Sequence, residues 1–236
     1  MIKSILTFIL AHIAWGCFAQ SNVLEVGQTV ANEKNLVPSG WKLLAKNKSD
    51  LNKDGLLDIV ILIEEIGLKN QEETNGTALQ TNQRHLLVAF KRPDGSYKWA
   101  AKNTSIIPPK NDPKRPCLSD PFGENSGIST ENGLLKIHLQ HFYSCGAWEI
   151  YDFDYIFRYQ NKKFELIGYN KSSLHRSTGE ETATTVNFST FKMNRTTGAN
   201  AFKGGTKPKT VWKNIKPKQL LALNSIKEED LSAFDY

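Results

Sequence analysis

Hydrophobic and polar positions follow a two-residue rhythm along much of the chain, which is typical of β-strands with one buried face. The segment 41–46, WKLLAK, has this rhythm. Residues 57–66, LDIVILIEEI, instead form a nearly continuous apolar run rich in Ile and Val. Such a run predicts a strand that is covered on both faces. Residues 84–103 then place two short apolar segments on either side of Pro93-Asp94-Gly95, which predicts a hairpin.

The second half of the chain repeats the strand pattern between clear turn signals. Residues 127–142 are interrupted by Asn132-Gly133, and residues 148–172 by the polar run 160–163. Roughly seven or eight strands at meander spacing are predicted in total. They indicate a mostly β protein, an antiparallel meander that forms a sandwich or a strongly curved sheet. Near the C-terminus, Ser225 and Glu228 have the spacing of a capping box, which predicts one short helix.

Three other segments carry weaker signals. Residues 67–83 are polar and contain Gly and Asn, which predicts a long exposed loop. Residues 105–127 contain five prolines, so we expect an irregular but shaped loop. Residues 182–198, TATTVNFSTFKMNRTTG, predict one further strand.

The length of 236 residues suits a single domain with its own core. Residues 1–19 are set apart from that domain, because Lys3, a short apolar run and small residues before the end match a secretory signal peptide cleaved after Ala19. Alternatively, Cys17 is acylated and anchors a lipoprotein. Either way we expect export to the periplasm or beyond. Residues 20–236 then form one mostly β domain with a basic C-terminal third rich in Ser, Thr and Lys.

Export also accounts for the cysteines. Of the three, Cys17 is removed or lipidated, and the remaining pair, Cys117 and Cys145, is expected to form a disulfide in an oxidising compartment. The formal net charge of +6 is modest, and the basic residues are too dispersed to predict nucleic-acid binding. The loosely basic segment 202–219 is expected to be solvated, with contact to a polyanion or a cell surface as the second interpretation.

An acidic loop directly precedes the buried apolar run. In residues 50–58, DLNKDGLLD, alternate side chains of a tight loop point inwards and Gly55 permits a sharp bend. This pattern gives an all-oxygen donor set with three negative charges, for which Ca²⁺ is the natural ion. We expect the ligands to be Asp50, Asn52, Asp54, the carbonyl of Leu56, and Asp58. The alternative is an Asp- and Asn-rich turn that binds no metal.

The loop is not an EF-hand, because the twelfth position is Ile61 where an EF-hand carries its glutamate. It resembles the calcium loops of FG-GAP repeats, the VCBS-type loops of integrin alpha chains, which join two strands. The pieces RHLLVAF, SDPFG and YIFRYQNKKFELIGY also resemble a group of exported bacterial proteins of uncharacterised function that carry a single such loop. The resemblance implies a calcium-binding hairpin, which we expect to be structural, and it implies no activity.

Other candidate side chains are interpreted structurally first. His138 and His141 are three residues apart on a predicted strand, so they point to opposite faces and cannot share a metal. In residues 150–159, five aromatic side chains occupy one face and predict half of a core, with a sugar- or peptide-binding platform as the second interpretation. On the other face, Asp152 and Asp154 are close enough to raise each other's pKa, although pairing with Arg158 or a lysine is expected.

These features predict an exported, calcium-stabilised binding module of the cell envelope or extracellular space with an unknown protein or glycan partner, either adhesion-like or of an inhibitor or immunity type. A Cys117–Cys145 bridge would draw two loops together, which makes Phe122 and Trp148 candidate contact residues. The alternative function is a glycan-directed hydrolase that uses carboxylates on the sheet. A purely structural periplasmic protein is the third possibility. Contact with a membrane is expected only if Cys17 is lipidated.

Overall fold

A computed structural model describes residues 25–67, 71–74, 77–217 and 219–234. The predicted signal peptide, residues 1–19, lies outside this part of the chain. Within the described residues no helix is long and apolar enough to cross a membrane. The strands of this part are β1 (Thr29–Val30), β2 (Trp41–Ser49), β3 (Asp58–Glu65), β4 (Gln71–Thr74), β5 (Thr77–Gln80), β6 (Arg84–Lys91), β7 (Tyr97–Asn103), β8 (Gly127–Glu131), β9 (Leu134–Phe142), β10 (Glu149–Gln160), β11 (Lys163–His175), β12 (Glu180–Asn187), β13 (Lys192–Asn200) and β14 (Lys209–Asn214).

The strands form two antiparallel sheets, and this confirms the predicted mostly β fold. The smaller sheet has the order β1-β7-β6-β3-β2, and the larger sheet has the order β14-β13-β12-β11-β10-β9-β8. The larger sheet is an uninterrupted meander, since each strand pairs with the next one along the chain. A short hairpin, β4–β5, stands apart from both sheets in the segment predicted to be a loop.

The main hydrophobic core lies between the two sheets, which makes the architecture β-sandwich-like. Val60 and Leu86 of the smaller sheet belong to the same buried cluster as Ile137 and Phe157 of the larger one. A second cluster covers the opposite face of the smaller sheet, where Ile61 and its neighbours pack beneath the N-terminal segment. Strand β3 therefore contributes to both clusters, and its coverage on both faces is confirmed.

The two sheets meet along the edge formed by β2 and β8. The Asn47 side chain of β2 donates a hydrogen bond to the Ile128 carbonyl of β8 across 2.7 Å. The loop that follows β2 also approaches the β8–β9 turn, because a Cβ on Gly133 would lie 3.4 Å from Lys53 and 3.7 Å from the Asp50 carbonyl. The acidic loop is thus packed at the edge where β2 of the smaller sheet meets β8 of the larger sheet.

The proline-rich segment is fixed at several points. The Cys117–Cys145 disulfide predicted by the sequence is present, with a Cα–Cα distance of 5.5 Å. Leu118 forms a β-bridge with Tyr143 beside it. Near the other end, the buried Arg84 guanidinium binds the Asp120 carboxylate with two hydrogen bonds of 2.6 and 2.8 Å. The segment is irregular but anchored, as the prolines predict.

The C-terminal segment packs back onto the main core. Leu223, Ile226 and Leu231 are buried there, and Asn103 holds the segment by donating hydrogen bonds to the carbonyls of Leu223 and Ile226 at 2.6 and 2.9 Å. The chain has a short 3-10 helix at Glu33–Asn35 and a second one at Glu228–Phe234 in this C-terminal segment.

The capping box predicted for the C-terminal helix does not form. The helix begins at Glu228, and the Asp230 carboxylate accepts a hydrogen bond from the Lys227 N–H at 2.9 Å. The Ser225 hydroxyl instead donates to the Ala222 carbonyl within the preceding turn. The short helix is therefore present, but it begins later than a Ser225 cap requires and it is a 3-10 helix.

Candidate functional site

The acidic loop joins β2 to β3 and carries all five predicted metal ligands. Its conformation depends on two residues in the left-handed region, Lys53 with φ 64° and Gly55 with φ 86°. Glycine adopts that region without the steric cost of a Cβ, so Gly55 sits where the bend requires it. The loop therefore has the tight, bent form that the sequence predicts.

Asp58 is the buried anchor of this loop. Its side chain is fully buried, and one carboxylate oxygen accepts hydrogen bonds from the N–H groups of Leu51 at 2.9 Å and Asn52 at 3.3 Å. The other oxygen accepts from the Lys91 N–H of β6 at 3.0 Å. Burial raises the pKa of Asp58 to about 6, against the opposing effect of these hydrogen bonds. One carboxylate thus ties the loop to two strands.

The outer half of the loop is closed by Asp50 and its neighbours. The two carboxylate oxygens of Asp50 accept from the N–H groups of Asp54 at 3.1 Å and Gly55 at 2.9 Å. The Asn52 side-chain oxygen also accepts from the Asp54 N–H, at 3.0 Å, while its amide donates to the Asp54 carboxylate at 2.9 Å. Asp54 in turn accepts from the Leu56 N–H at 2.9 Å. Side-chain oxygens organise the whole loop backbone.

The donor chemistry of this loop fits calcium, because every predicted ligand supplies oxygen. Within the residues that the structure describes, no three Asp, Glu, His or Cys side chains are gathered closely enough to hold a metal ion. The carboxylates of Asp50 and Asp58 are directed at backbone N–H groups. To bind a calcium ion, each of these two carboxylates would have to direct one oxygen at the ion while keeping some of its hydrogen bonds to the backbone.

The aromatic strand predicted from the sequence is β10, and its aromatic face is part of the core. Phe153, Tyr155 and Phe157 are buried, and Tyr155 packs 5.5 Å from the ring of Tyr169 on β11. Tyr151 is half-buried at the edge of the same cluster. The structural interpretation of this ladder is therefore confirmed for its central members.

The opposite face of β10 carries a polar network. Asp154 accepts a hydrogen bond from His138 at 2.8 Å and pairs with Lys136 at 3.2 Å, rather than with Arg158. Burial raises the pKa of Asp154, but the bonds from His138, Asn170 and Lys136 outweigh burial and hold that pKa below its usual range. The pairing with a lysine that the sequence predicts is therefore present at Asp154, and the pKa of this carboxylate is lowered because its neighbours on adjacent strands are mainly cations and hydrogen-bond donors.

The two histidines of β9 lie on opposite faces, as their spacing predicts. His138 is half-exposed in the polar network, while the His141 side chain is only 3% exposed and packs 4.7 Å from the Phe153 ring. Among the described residues, its Nε2 atom is buried without a hydrogen-bond partner. Burial lowers the pKa of His141 to about 4; nearby Glu228 opposes this change, and Arg115 and Lys171 add to it.

Replacing His141 by glutamine is expected to flatten the pH dependence of stability. The folded-state pKa near 4 lies below the ordinary value of 6.5, so between these values the unfolded chain binds more protons and stability falls as the pH falls. Between these two pKa values, the free energy of unfolding of the wild type should change with pH more steeply than that of the variant, by up to about 1.4 kcal/mol per pH unit. Urea unfolding at a series of pH values measures both slopes, and parallel curves would contradict a neutral buried His141.

The disulfide end of the sandwich exposes one of the two predicted contact residues. Trp148 is 55% exposed, and its position is held by Arg176, whose N–H donates to the Trp148 carbonyl at 2.8 Å and whose guanidinium lies 5.9 Å from the indole ring. Phe122 is half-buried and packs against the main core. The surface near the bridge therefore presents a fixed, exposed indole.

Sequence reasoning missed a polar cleft beside this end of the sandwich. Its walls come from β10, β11, β12 and β13, and they include Tyr151, Lys171 and Arg195. The available signal was the spacing of polar residues two apart, Lys171 and Ser173 in one segment and Thr182 and Thr184 in the next, which is typical of a sheet face that is partly open to solvent. That signal is weak because the lining residues are spread over four strands, and only the strand register brings them together.

Comparisons of this chain with protein-family models, with curated proteins and with solved structures found no match to any of them.

Proposed function

We propose that this protein is an exported binding module whose acidic loop is stabilised by one calcium ion. The observation that carries the proposal is Asp58, a fully buried carboxylate at the base of an all-oxygen loop. Its carboxylate accepts hydrogen bonds from backbone N–H groups of the loop and of β6. A buried carboxylate that also feels the negative charge of Asp54 is stabilised further when a divalent cation binds both of them.

Calcium would act structurally in this proposal. The loop fixes where β2 ends and β3 begins, and it packs at the edge where the two sheets meet. Holding Asp50, Asn52, Asp54, the Leu56 carbonyl and Asp58 around one ion would lock that connection. The resemblance to FG-GAP-type loops supports the same structural role, since those loops also join two strands.

Export is supported by the Cys117–Cys145 disulfide, because such bonds persist in oxidising compartments. A binding role is supported by Trp148, an exposed indole held in place close to that disulfide, since fixed aromatic side chains supply contact area at little entropic cost. A general acid needs a raised pKa, whereas the pKa of Asp154 is lowered. Asp154 therefore does not support the alternative hydrolase.

Isothermal titration of the mature protein with calcium tests the proposal. We expect one ion per chain with a Kd of about 10⁻⁴–10⁻³ M, as in other extracellular sites, and little response to magnesium. Asp50→Asn and Asp54→Asn should each weaken binding by about tenfold or more, because each removes a charged ligand.

Asp94→Asn is the matched control. Asp94 is an exposed aspartate in the β6–β7 turn that also accepts a backbone hydrogen bond, from the Ser96 N–H at 3.0 Å. This variant should bind calcium like the wild type. Absence of calcium binding by the wild type, or equal weakening in all three variants, would contradict the proposed loop site.

A further inference from the structure

One face of the larger sheet packs into the main hydrophobic core. Where this face continues past the core, it forms a cleft of about 280 Å³. Tyr151 marks the boundary, since it packs against the main core and also lines the cleft. Among the described residues, the one acidic side chain in the lining is that of Glu149, the first residue of β10. Trp148, the exposed indole near the disulfide, directly precedes it in the chain.

The strand register arranges the cleft residues in two rows across the sheet. In the first row Tyr151 is opposite Ser173, and Ser173 is opposite Thr182. The hydroxyl groups of Ser173 and Thr182 lie 2.8 Å apart. This row therefore joins an aromatic ring to two hydroxyl groups that can each donate and accept hydrogen bonds.

The second row carries the positive charge. Lys171 is opposite Thr184, and Thr184 is opposite Arg195. The Lys171 ammonium lies 5.3 Å from the centroid of the Tyr151 ring. Arg195 is half-buried and forms no ion pair within the described part of the chain. Two cations thus stand on either side of a threonine, with one carboxylate at the end of the cleft.

The surrounding chain reinforces this charge. Residues 182–214 contain six Lys and Arg residues and no Asp or Glu, and they form most of β12 together with β13 and β14. A formal net charge of only +6 for the whole chain means that positive charge is concentrated at this end of the larger sheet. Such a field attracts polyanions and raises their local concentration.

The geometry points to a negatively charged carbohydrate as the ligand of this cleft. Arg195 receives the acid group, because its planar guanidinium is a bidentate partner, and Lys171 adds positive charge beside it. Ser173, Thr182 and Thr184 match the sugar hydroxyl groups, and Tyr151 supplies an aromatic wall. This inference rests on the proposed binding role and does not depend on the calcium loop.

Affinity electrophoresis of the mature protein tests the inference in gels that contain one polysaccharide each. Polygalacturonate presents carboxylates, dextran sulfate presents sulfates, and dextran is the neutral control. At about 0.15 M NaCl, where dispersed surface charges are screened, we expect retardation by an acidic polysaccharide and none by dextran. The gel with the stronger retardation identifies the acid group. Runs in EGTA exclude bridging by calcium.

Arg195→Ala is the decisive variant, and Lys192→Ala is its control. Lys192 is an exposed cation three residues away on the same strand and therefore on the opposite face. Arg195→Ala should weaken retardation by about tenfold or more, and Lys192→Ala should change it by less than about twofold. Circular dichroism confirms that both variants are folded.

Three results would overturn the inference: no retardation by either acidic polysaccharide, equal loss in both variants, or equal retardation by single-stranded DNA. Failure of the calcium proposal looks different, because it appears as absent calcium binding while Arg195-dependent retardation in EGTA persists. Calcium binding without retardation would remove the carbohydrate ligand and leave the calcium-stabilised module in place.

Discussion

Replacing Arg84 by methionine is expected to lower the free energy of unfolding by about 3–5 kcal/mol. The Arg84 side chain is 2% exposed. Its guanidinium donates to Glu64 at 2.8 Å, to Asp120 at 2.6 and 2.8 Å, and to the Pro108 carbonyl at 3.1 Å. Methionine fills much of the volume but leaves two carboxylates without this cation. The cost of an uncompensated buried charge then dominates.

Arg84 also connects separate parts of the fold, which explains the expected size of this effect. Glu64 belongs to β3, whereas Asp120 and Pro108 belong to the proline-rich segment. Lys42 pairs with Glu64 at 2.7 Å and should keep this contact in the variant, but it is half-exposed and reaches only that carboxylate. Arg84→Lys should give an intermediate loss, because an ammonium group cannot bind two carboxylates in the bidentate manner of a guanidinium.

Urea unfolding measures these changes, with Arg92→Met as the control. Arg92 is 47% exposed and lies 3.6 Å from Asp94, so its loss should cost less than about 1 kcal/mol. A loss in Arg84→Met no larger than that in Arg92→Met would contradict the structural role given to the buried guanidinium.

Replacing Asp58 by alanine is expected to cost about 3 kcal/mol, because three backbone N–H groups lose a charged acceptor. These three hydrogen bonds hold the acidic loop to β3 and β6, and their donors are the N–H groups of Leu51, Asn52 and Lys91. Asp58→Asn should cost less, since its amide keeps one oxygen acceptor while its NH₂ group faces donors. In both variants calcium should no longer raise stability. Asp94→Ala, in the exposed β6–β7 turn, should keep the calcium response.

Unfolding curves recorded with and without calcium test the Asp58 prediction. If Asp58→Ala unfolds with the same free energy as Asp94→Ala, the buried carboxylate does not anchor the loop. If Asp58→Ala still gains stability from calcium, the ion is bound elsewhere. These two outcomes separate the hydrogen-bonding role of Asp58 from its proposed role as a ligand.

Features encoded in one short segment could be predicted from the sequence. The double-sided burial of β3 follows from the uninterrupted run 59–63, and the bend of the acidic loop follows from Gly55. The aromatic face of β10 follows from simple alternation, which placed Phe153 and Phe157 in the core. In each case the pattern and its physical cause lie within about ten residues.

Features built from distant segments could not be predicted in this way. Arg84 meets Asp120 across 36 positions, and no local pattern joins them. Strand β14 has every residue exposed, so no buried face imposes an alternation of apolar and polar residues on its sequence. The segment 182–198 forms most of β12 and most of β13 where one strand was predicted. The cleft needs the register of four strands before Tyr151 and Arg195 become neighbours in one wall.

The thermal unfolding midpoint of the mature protein, measured with excess calcium and again with EGTA, tests the central claim most directly. A free ion concentration tenfold above Kd adds about 1.4 kcal/mol to the folded state. For a chain of this length that corresponds to an increase of about 3–6 °C in Tm. The account predicts this increase, with no comparable effect of magnesium. An identical Tm in calcium and in EGTA would contradict it.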